Sequence, residues 1–397
     1  MGGVAGGLSG REAMRARNRA VGKRREGFRR FSLAIALLLV VLLLGSKWSW
    51  IDAQARAVVV LSSVLEAPCL MPAVGALTGE PRFVEASIAG NPAFIVRPGG
   101  EGPWPVLFFV NGVVTEGRKL PEVRRVAEGL ARAGYLVVVP DLPGLRWGEI
   151  RPETVHETVE VARAVSGLPD AREGRVGLVG VSTGATLALL AAEEEDVARE
   201  VSVVAGVAPY ADVKTVLRIA TTGHYRKNGR LHSYQADPFL AGAIAQSLVS
   251  TLPPSEGRET LLEELEEVDR LRPRFLADLR GMGAEARSVA DLLANKDPRR
   301  FDELYAGLPK RVRANLEELS PLAGDERVNV PVELISGPHD KYFPLSETYA
   351  IGRIAPRAHI TVSGALDHVE PVPSTRDIPA FLRVNGFVVR TLREARP

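Results

Sequence analysis

Apolar positions follow different rhythms in successive stretches of this chain. Phe31–Gly45 (FSLAIALLLVVLLLG) is almost unbroken hydrocarbon. From about residue 82, short apolar runs alternate with segments whose apolar residues recur every three or four positions. FVEASIAG and PAFIVRP read as the two arms of an antiparallel pair. PVLFFVNG (Pro105–Gly112) and YLVVVPDLPG are continuous apolar runs of the kind found in strands buried on both faces. Between them, LPEVRRVAEGLARAG places Val123, Val126, Leu130 and Ala131 on one helical face, with Gly134 as its stop. PETVHETVEVARAVSGL reads as a helix, RVGLVG as a strand, STGATLALLAAEEE as a helix and EVSVVAGVAPY as a strand. This alternation predicts an α/β fold, a mostly parallel sheet with helices on both faces.

After Tyr210 the rhythm changes. Residues 212–324 hold no convincing buried strand. Leu261, Leu262, Leu265, Val268 and Leu271 mark one amphipathic helix, and Val289, Leu292 and Leu293 mark another. Leu304, Leu308, Val312, Leu316 and Leu319 continue the style. The stretch is expected to be an inserted helical cap. Strand rhythm resumes at VPVELISG (Val330–Gly337) and HITVSG (His359–Gly364), and a last helix includes Ile378, Phe381 and Leu382. The core is thus expected over 81–211 and 325–397, interrupted by the cap over 212–324.

The hydrocarbon run Phe31–Gly45 would span about 22 Å as a helix, against a bilayer core of roughly 30 Å. Extension to Ile51 adds Trp48 and Trp50, which suit a membrane interface, and Lys47, which can snorkel. Residues 1–30 carry nine Lys/Arg against Glu12 and Glu26. Such a basic tail places the N-terminus in the cytoplasm. The expectation is a cytoplasmic tail over 1–30, a signal anchor crossing the lipid bilayer once over 31–51, a linker over 52–80, and a domain held outside the cytoplasm. The alternative is a signal peptide cleaved near Ala55, leaving a secreted protein. That tail holds +7 of a total of +2, so the rest carries −5 and shows no nucleic-acid footprint. Cys69, the single cysteine, allows no disulfide framework. It follows Pro68 outside any lipobox and reads as a buried or incidental thiol.

Candidate chemistry centres on RVGLVGVSTGATLALLAA. A chain with 38 glycines can hold Gly180-x-Ser182-x-Gly184 by accident, as a structural crossover. The context suits a nucleophile: a strand before Ser182, a helix at once after it, and Gly180 and Gly184 where a Cβ would crowd the turn. A phosphate loop lacks its further glycines and lysine. A serine hydroxyl needs a base, and the chain has six histidines. His368, in GALDHVEPV just past the last strand, is placed to reach the carboxyl edge of the sheet. His359 starts a strand and reads as structural, His156 lies among charges on a helix, and His224 and His232 fall in the insertion, where they could line a pocket. The base needs a carboxylate to hold its tautomer. Asp340 follows VELISGPH and emerges at the same edge. Asp141 sits in a turn-like PDLPG, and Asp367 adjoins His368, where neighbouring side chains diverge. The order Ser182, Asp340, His368 follows.

With VNG after the third strand, GVSTG, SGPHD and ALDH, the chain resembles an α/β-hydrolase from about Pro81 to its end. The resemblance implies an oxyanion hole made by the backbone N–H groups of Thr183 and of Val113, after Asn111-Gly112. Many members have His-Gly where this chain has Asn111-Gly112, which sets it apart from the HGGG esterases. The expected activity is hydrolysis of a small-molecule carboxylic ester through an acyl-enzyme, with no metal and no organic cofactor. Two alternatives remain: the same triad as a peptidase, thioesterase or acyltransferase, and a non-catalytic membrane-tethered binding protein on a hydrolase fold. Oligomeric state is not legible.

Overall fold

The computed structural model describes residues 48–65, 71–267, 282–324, 327–371 and 378–396. The chain divides into two units, Met1–Ala53 and Gln54–Pro397. Of the first, residues 48–53 are described, and they are helical. The expected membrane span over 31–51 thus lies outside the described residues except at 48–51, and Cys69 lies outside them as well. No helix among the described residues is long and apolar enough to cross a membrane.

The second unit begins with helices α1 (54–64) and α2 (Met71–Thr78). An antiparallel hairpin follows, β1 (Arg82–Ile88) and β2 (Asn91–Arg97), turning at Ala89 and Gly90, both at positive φ. Next come β3 (Trp104–Val110), α3 (Pro121–Arg132) and β4 (Leu136–Pro140), whose continuous apolar runs are buried almost throughout. Residues 54–64, in the stretch read as a short helix and linker, form a helix packed on α3. Ala57 and Val60 are buried, and Gly129 of α3 leaves only 3.0 Å between an added Cβ and Ser63 Cβ. Arg56 Nη1 also donates to the Ala133 carbonyl at the end of α3.

Helices α4 (Pro143–Trp147) and α5 (Pro152–Ser166) lead to β5 (Ala171–Val181), α6 (Thr183–Glu193), α7 (Glu195–Ala198) and β6 (Val201–Val207). Thr183 to Ala192 of α6 are all buried, as its unbroken Ala/Leu composition requires. After the insertion come β9 (Val332–Ser336), α14 (Leu345–Ile354) and β10 (Ala358–Val362). The chain closes with a two-residue-per-strand hairpin, β11 (Leu366–Asp367) with β12 (Glu370–Pro371), and α15 (Ile378–Glu394). Eight strands form one sheet in the order β1-β2-β4-β3-β5-β6-β9-β10. Pairs β1/β2 and β2/β4 are antiparallel, and the other pairs are parallel. The parallel strands β3, β5, β6 and β9 therefore deliver the loops after them to one edge, where open α/β sheets bind ligands.

Between β6 and β9 lie α8 (Val213–Thr222), a hairpin of β7 (His224–Lys227) and β8 (Arg230–Ser233), and helices α9 (Pro238–Ser250), α10 (Glu256–Glu267), α11 (Ala284–Ala294), α12 (Phe301–Ala306) and α13 (Lys310–Glu318). Leu217, Leu248, Leu261, Val289, Phe301 and Leu316 form an apolar core of its own. Its two ends are stitched together: Val213 N–H donates to Ser320 Oγ (3.0 Å) and Leu322 N–H to the Ala211 carbonyl (3.1 Å). Val268 and Leu271 of the expected helix lie outside the described residues. The leucine-spaced stretch from Leu304 to Leu319 forms two helices, α12 and α13, separated at Gly307-Leu308-Pro309.

Candidate active site

Strand β5 turns into α6 within one residue, Ser182. Its backbone lies at φ 54°, ψ −127°, a conformation that costs a non-glycine residue on the order of 1–3 kcal/mol. Ser182 N–H is held by the Val207 carbonyl of β6 at 2.8 Å. The flanking glycines are obligatory: a Cβ on Gly180 would overlap the Gly184 carbonyl oxygen, and one on Gly184 would overlap that of Asn111. The end of β3 is thus pressed against the serine turn. A Cβ on Gly112 would lie 3.3 Å from Ser182 Cβ.

Val113 follows Gly112, and Thr183 opens α6, where the first N–H groups of a helix have no partner within it. Among the described residues neither amide has an acceptor. The loop after Val113 is fastened by Val114 N–H to the Leu145 carbonyl (3.1 Å) and by Arg146 Nε to the Thr115 carbonyl (3.1 Å). Asp141 anchors its far end. Its Oδ1 accepts Arg118 N–H at 2.7 Å, its Oδ2 pairs with the Arg118 guanidinium, and both residues are buried. Asp141 is therefore committed to this loop. Asn111 is also buried, and its side-chain nitrogen and oxygen have no partner among the described residues, at a cost of about 1–3 kcal/mol.

Asp340 and His368 form a buried pair. His368 Nδ1 lies 3.0 and 2.8 Å from Asp340 Oδ1 and Oδ2. Oδ1 also accepts the N–H groups of Tyr342 (2.8 Å) and Phe343 (2.9 Å). A carboxylate so surrounded by donors accepts from Nδ1–H, which assigns the proton of a neutral ring to Nδ1 and leaves Nε2 as the basic nitrogen. His368 stands at the tip of the β11–β12 hairpin at φ 56°, and its ring meets Tyr342 and Phe343 edge-on, with centroids 4.5 and 5.6 Å away. The hairpin is seated by close approach, since a Cβ on Gly337 would overlap the Leu366 carbonyl oxygen. Among the described residues no hydrogen bond runs from His368 to Ser182 Oγ. A small cavity of about 50 Å³ is lined by Val113 and Thr183 from the serine side and by Phe343, whose ring packs on His368.

The other candidates stand elsewhere. His156 is exposed on α5, with Nδ1 3.1 Å from the Pro152 carbonyl. His359 lies 3.6 Å from Glu333 Oε2, and burial holds its pKa below the usual value. His224 and His232 sit on the β7–β8 hairpin, outside the wall of that cavity. Asp367 Oδ1 is buried without a partner among the described residues.

Two residues near the site escaped the sequence reading. Tyr234, from the insertion, donates its hydroxyl to the Asp340 carbonyl, and burial pushes its pKa up. Glu347, at the start of α14, is buried, and its Oε2 accepts Ala211 N–H (3.1 Å) and Asp212 N–H (3.0 Å). Burial pushes its pKa up to about 7, with the Asp212 charge adding to the rise and the two N–H groups opposing it. Among the described residues no group of three or more His, Cys, Asp or Glu is placed to hold a metal ion.

A parallel sheet with a glycine-flanked serine turn, a helical insertion after β6 and a loop-borne Asp–His pair defines an α/β-hydrolase, and the chain is a hydrolase of that type. Residues 92–369 match the X-Pro dipeptidyl-peptidase (S15) family, and the chain belongs to it. No curated protein matches the chain. Solved structures similar to it include an esterase from Pyrococcus furiosus, 16% identical, covering 78% of this chain and 91% of that one with a TM-score of 0.40. A dienelactone hydrolase from Anabaena variabilis is 15% identical over 79% of this chain and 97% of its own, with a TM-score of 0.41. A meta-cleavage product hydrolase from Pseudomonas fluorescens is 18% identical, with coverages of 79% and 98% and a TM-score of 0.40.

Proposed function

We propose that the protein hydrolyses small-molecule carboxylic esters through an acyl-enzyme on Ser182. Ser182 Oγ attacks the carbonyl carbon while His368 Nε2 takes its proton. Asp340 holds the ring and stabilises the imidazolium. The N–H groups of Val113 and Thr183 receive the developing oxyanion, each worth ~3 kcal/mol of barrier. His368 then gives the proton to the leaving alcohol, and a water molecule attacks the acyl-enzyme by the same route. The observation that carries this reading is the Asp340–His368 pair, which leaves Nε2 basic at the sheet edge where the serine turn emerges. The open His368–Ser182 bond suits a free enzyme, since such bonds commonly close only with substrate present.

Family membership favours a second reading, in which the same triad cleaves a peptide bond after an X-Pro dipeptide. A substrate panel separates the two. p-Nitrophenyl esters are expected to be turned over faster than Gly-Pro p-nitroanilide, and both activities to vanish in Ser182→Ala. Turnover of the anilide alone would install the peptidase reading.

We further propose that residues 31–51 anchor the chain once in a bilayer, with the basic tail in the cytoplasm and the hydrolase outside it. The apolar run, the flanking tryptophans and the nine basic residues support this placement.

A further inference from the structure

Two cavities meet at Val113. The inner one, about 50 Å³, is walled by Val113 and Thr183 at the serine end, by Tyr210 and Phe343, and by Leu217 and Leu316 from α8 and α13. The outer one, about 400 Å³, runs from Val113 past Arg146 and Trp147 to Phe239 and Glu264. Of the two residues proposed to bind the carbonyl oxygen, both line the inner cavity and only Val113 reaches the outer. An acyl group whose carbonyl oxygen sits between those two amides has the inner cavity beside it.

We infer that the inner cavity is an acyl pocket for short, uncharged aliphatic groups, with four to six carbons counting the carbonyl (butanoyl to hexanoyl). This rests on the acyl-enzyme reading above. A dry cavity of about 150 Å³ takes benzene, so one of about 50 Å³ takes no more than a short aliphatic chain beyond the carbonyl. Its wall carries no charged side chain. Ser247, one of the few polar residues in it, is occupied, donating to the Gly148 carbonyl (2.6 Å) and accepting from Ile150 N–H (3.2 Å). An X-Pro dipeptidyl group needs room for roughly nine atoms or more and brings an ammonium, whose burial without a partner is prohibitive. The pocket thus selects against the acyl group that gives the family its name. The larger outer cavity, with Arg146, Gln246 and Glu264 on its wall, takes a bulkier and more polar leaving group.

The test uses the full chain and p-nitrophenyl esters from acetate to decanoate, with Gly-Pro p-nitroanilide alongside. kcat/KM is expected to peak at butyrate to hexanoate and to fall by about tenfold or more at octanoate, the scale of a misplaced methylene in an apolar pocket. Leu217→Ala should move the optimum two to three carbons longer. Leu316→Ala, from the other helix, serves the same purpose if the first variant does not fold. The inference is overturned if octanoate matches butyrate in the wild type, if a folded variant leaves the optimum unmoved, or if the anilide outpaces butyrate. Failure of the acyl-enzyme reading itself looks different: no ester of any length is cleaved, or Ser182→Ala retains the activity, and the pocket assignment falls with it.

Discussion

Asp340 spends its carboxylate on three donors at once: His368 Nδ1 and the N–H groups of Tyr342 and Phe343. An asparagine there keeps the shape but presents an amide, which can turn an NH₂ toward the ring and reverse its tautomer. Asp340→Asn is accordingly expected to lower kcat by about 10,000-fold with little change in KM. Steady-state kinetics on one ester checks this, and a loss below tenfold would remove Asp340 from the triad. These residues were legible because each follows an apolar run at one edge of a parallel sheet. Ser182 was further marked by the two glycines that its turn makes obligatory. The left-handed backbone of His368 was not legible, because nothing in ALDHVEP signals it. The role of Asp141 was half legible: PDLPG reads as a turn, but its partner Arg118 lies 23 positions away and only folding brings the two together.

At the scale of elements, the insertion is tied to the core where α8 begins. Asp212 caps α8 through Lys214 N–H (3.0 Å) and Thr215 N–H (3.2 Å), while Glu347 from α14 holds Ala211 and Asp212 from behind. The pKa of Glu347 rises from an ordinary 4.5 to about 7 in the fold. The native state therefore holds this proton more tightly than the unfolded chain. The stability it contributes is whole below about pH 4.5 and is lost as pH climbs through 7. Urea denaturation across pH 4.5–8 should show the wild type losing up to about 3 kcal/mol relative to Glu347→Gln. A difference that does not vary with pH would contradict this. The sequence showed the insertion as helical from its leucine spacing, and it missed the β7–β8 hairpin inside it. The signal was present. Asn228-Gly229, both at positive φ, is the dipeptide of a tight hairpin turn, but HYRK and RLHS offer little apolar alternation around it.

The whole molecule joins a mildly acidic hydrolase to a strongly basic, apolar N-terminal stretch. The alternation of strands and helices made the hydrolase half readable from Pro81 onward. The packing of α1 on α3 was not readable, since Ala57 and Val60 gain meaning only once Gly129 opens a place for them. If residues 31–51 anchor the chain, the full-length protein should stay in the membrane pellet through an alkaline carbonate wash, and removal of residues 1–51 should release it. Full-length chain in the supernatant would end the anchor proposal.

The central claim is that Ser182 is the nucleophile. The most direct measurement is labelling of the full chain with a fluorophosphonate, followed by mass spectrometry of the peptides. A single adduct on Ser182 is predicted, absent from Ser182→Ala and strongly slowed in His368→Ala. An adduct on another residue, or undiminished labelling of Ser182→Ala, would contradict it.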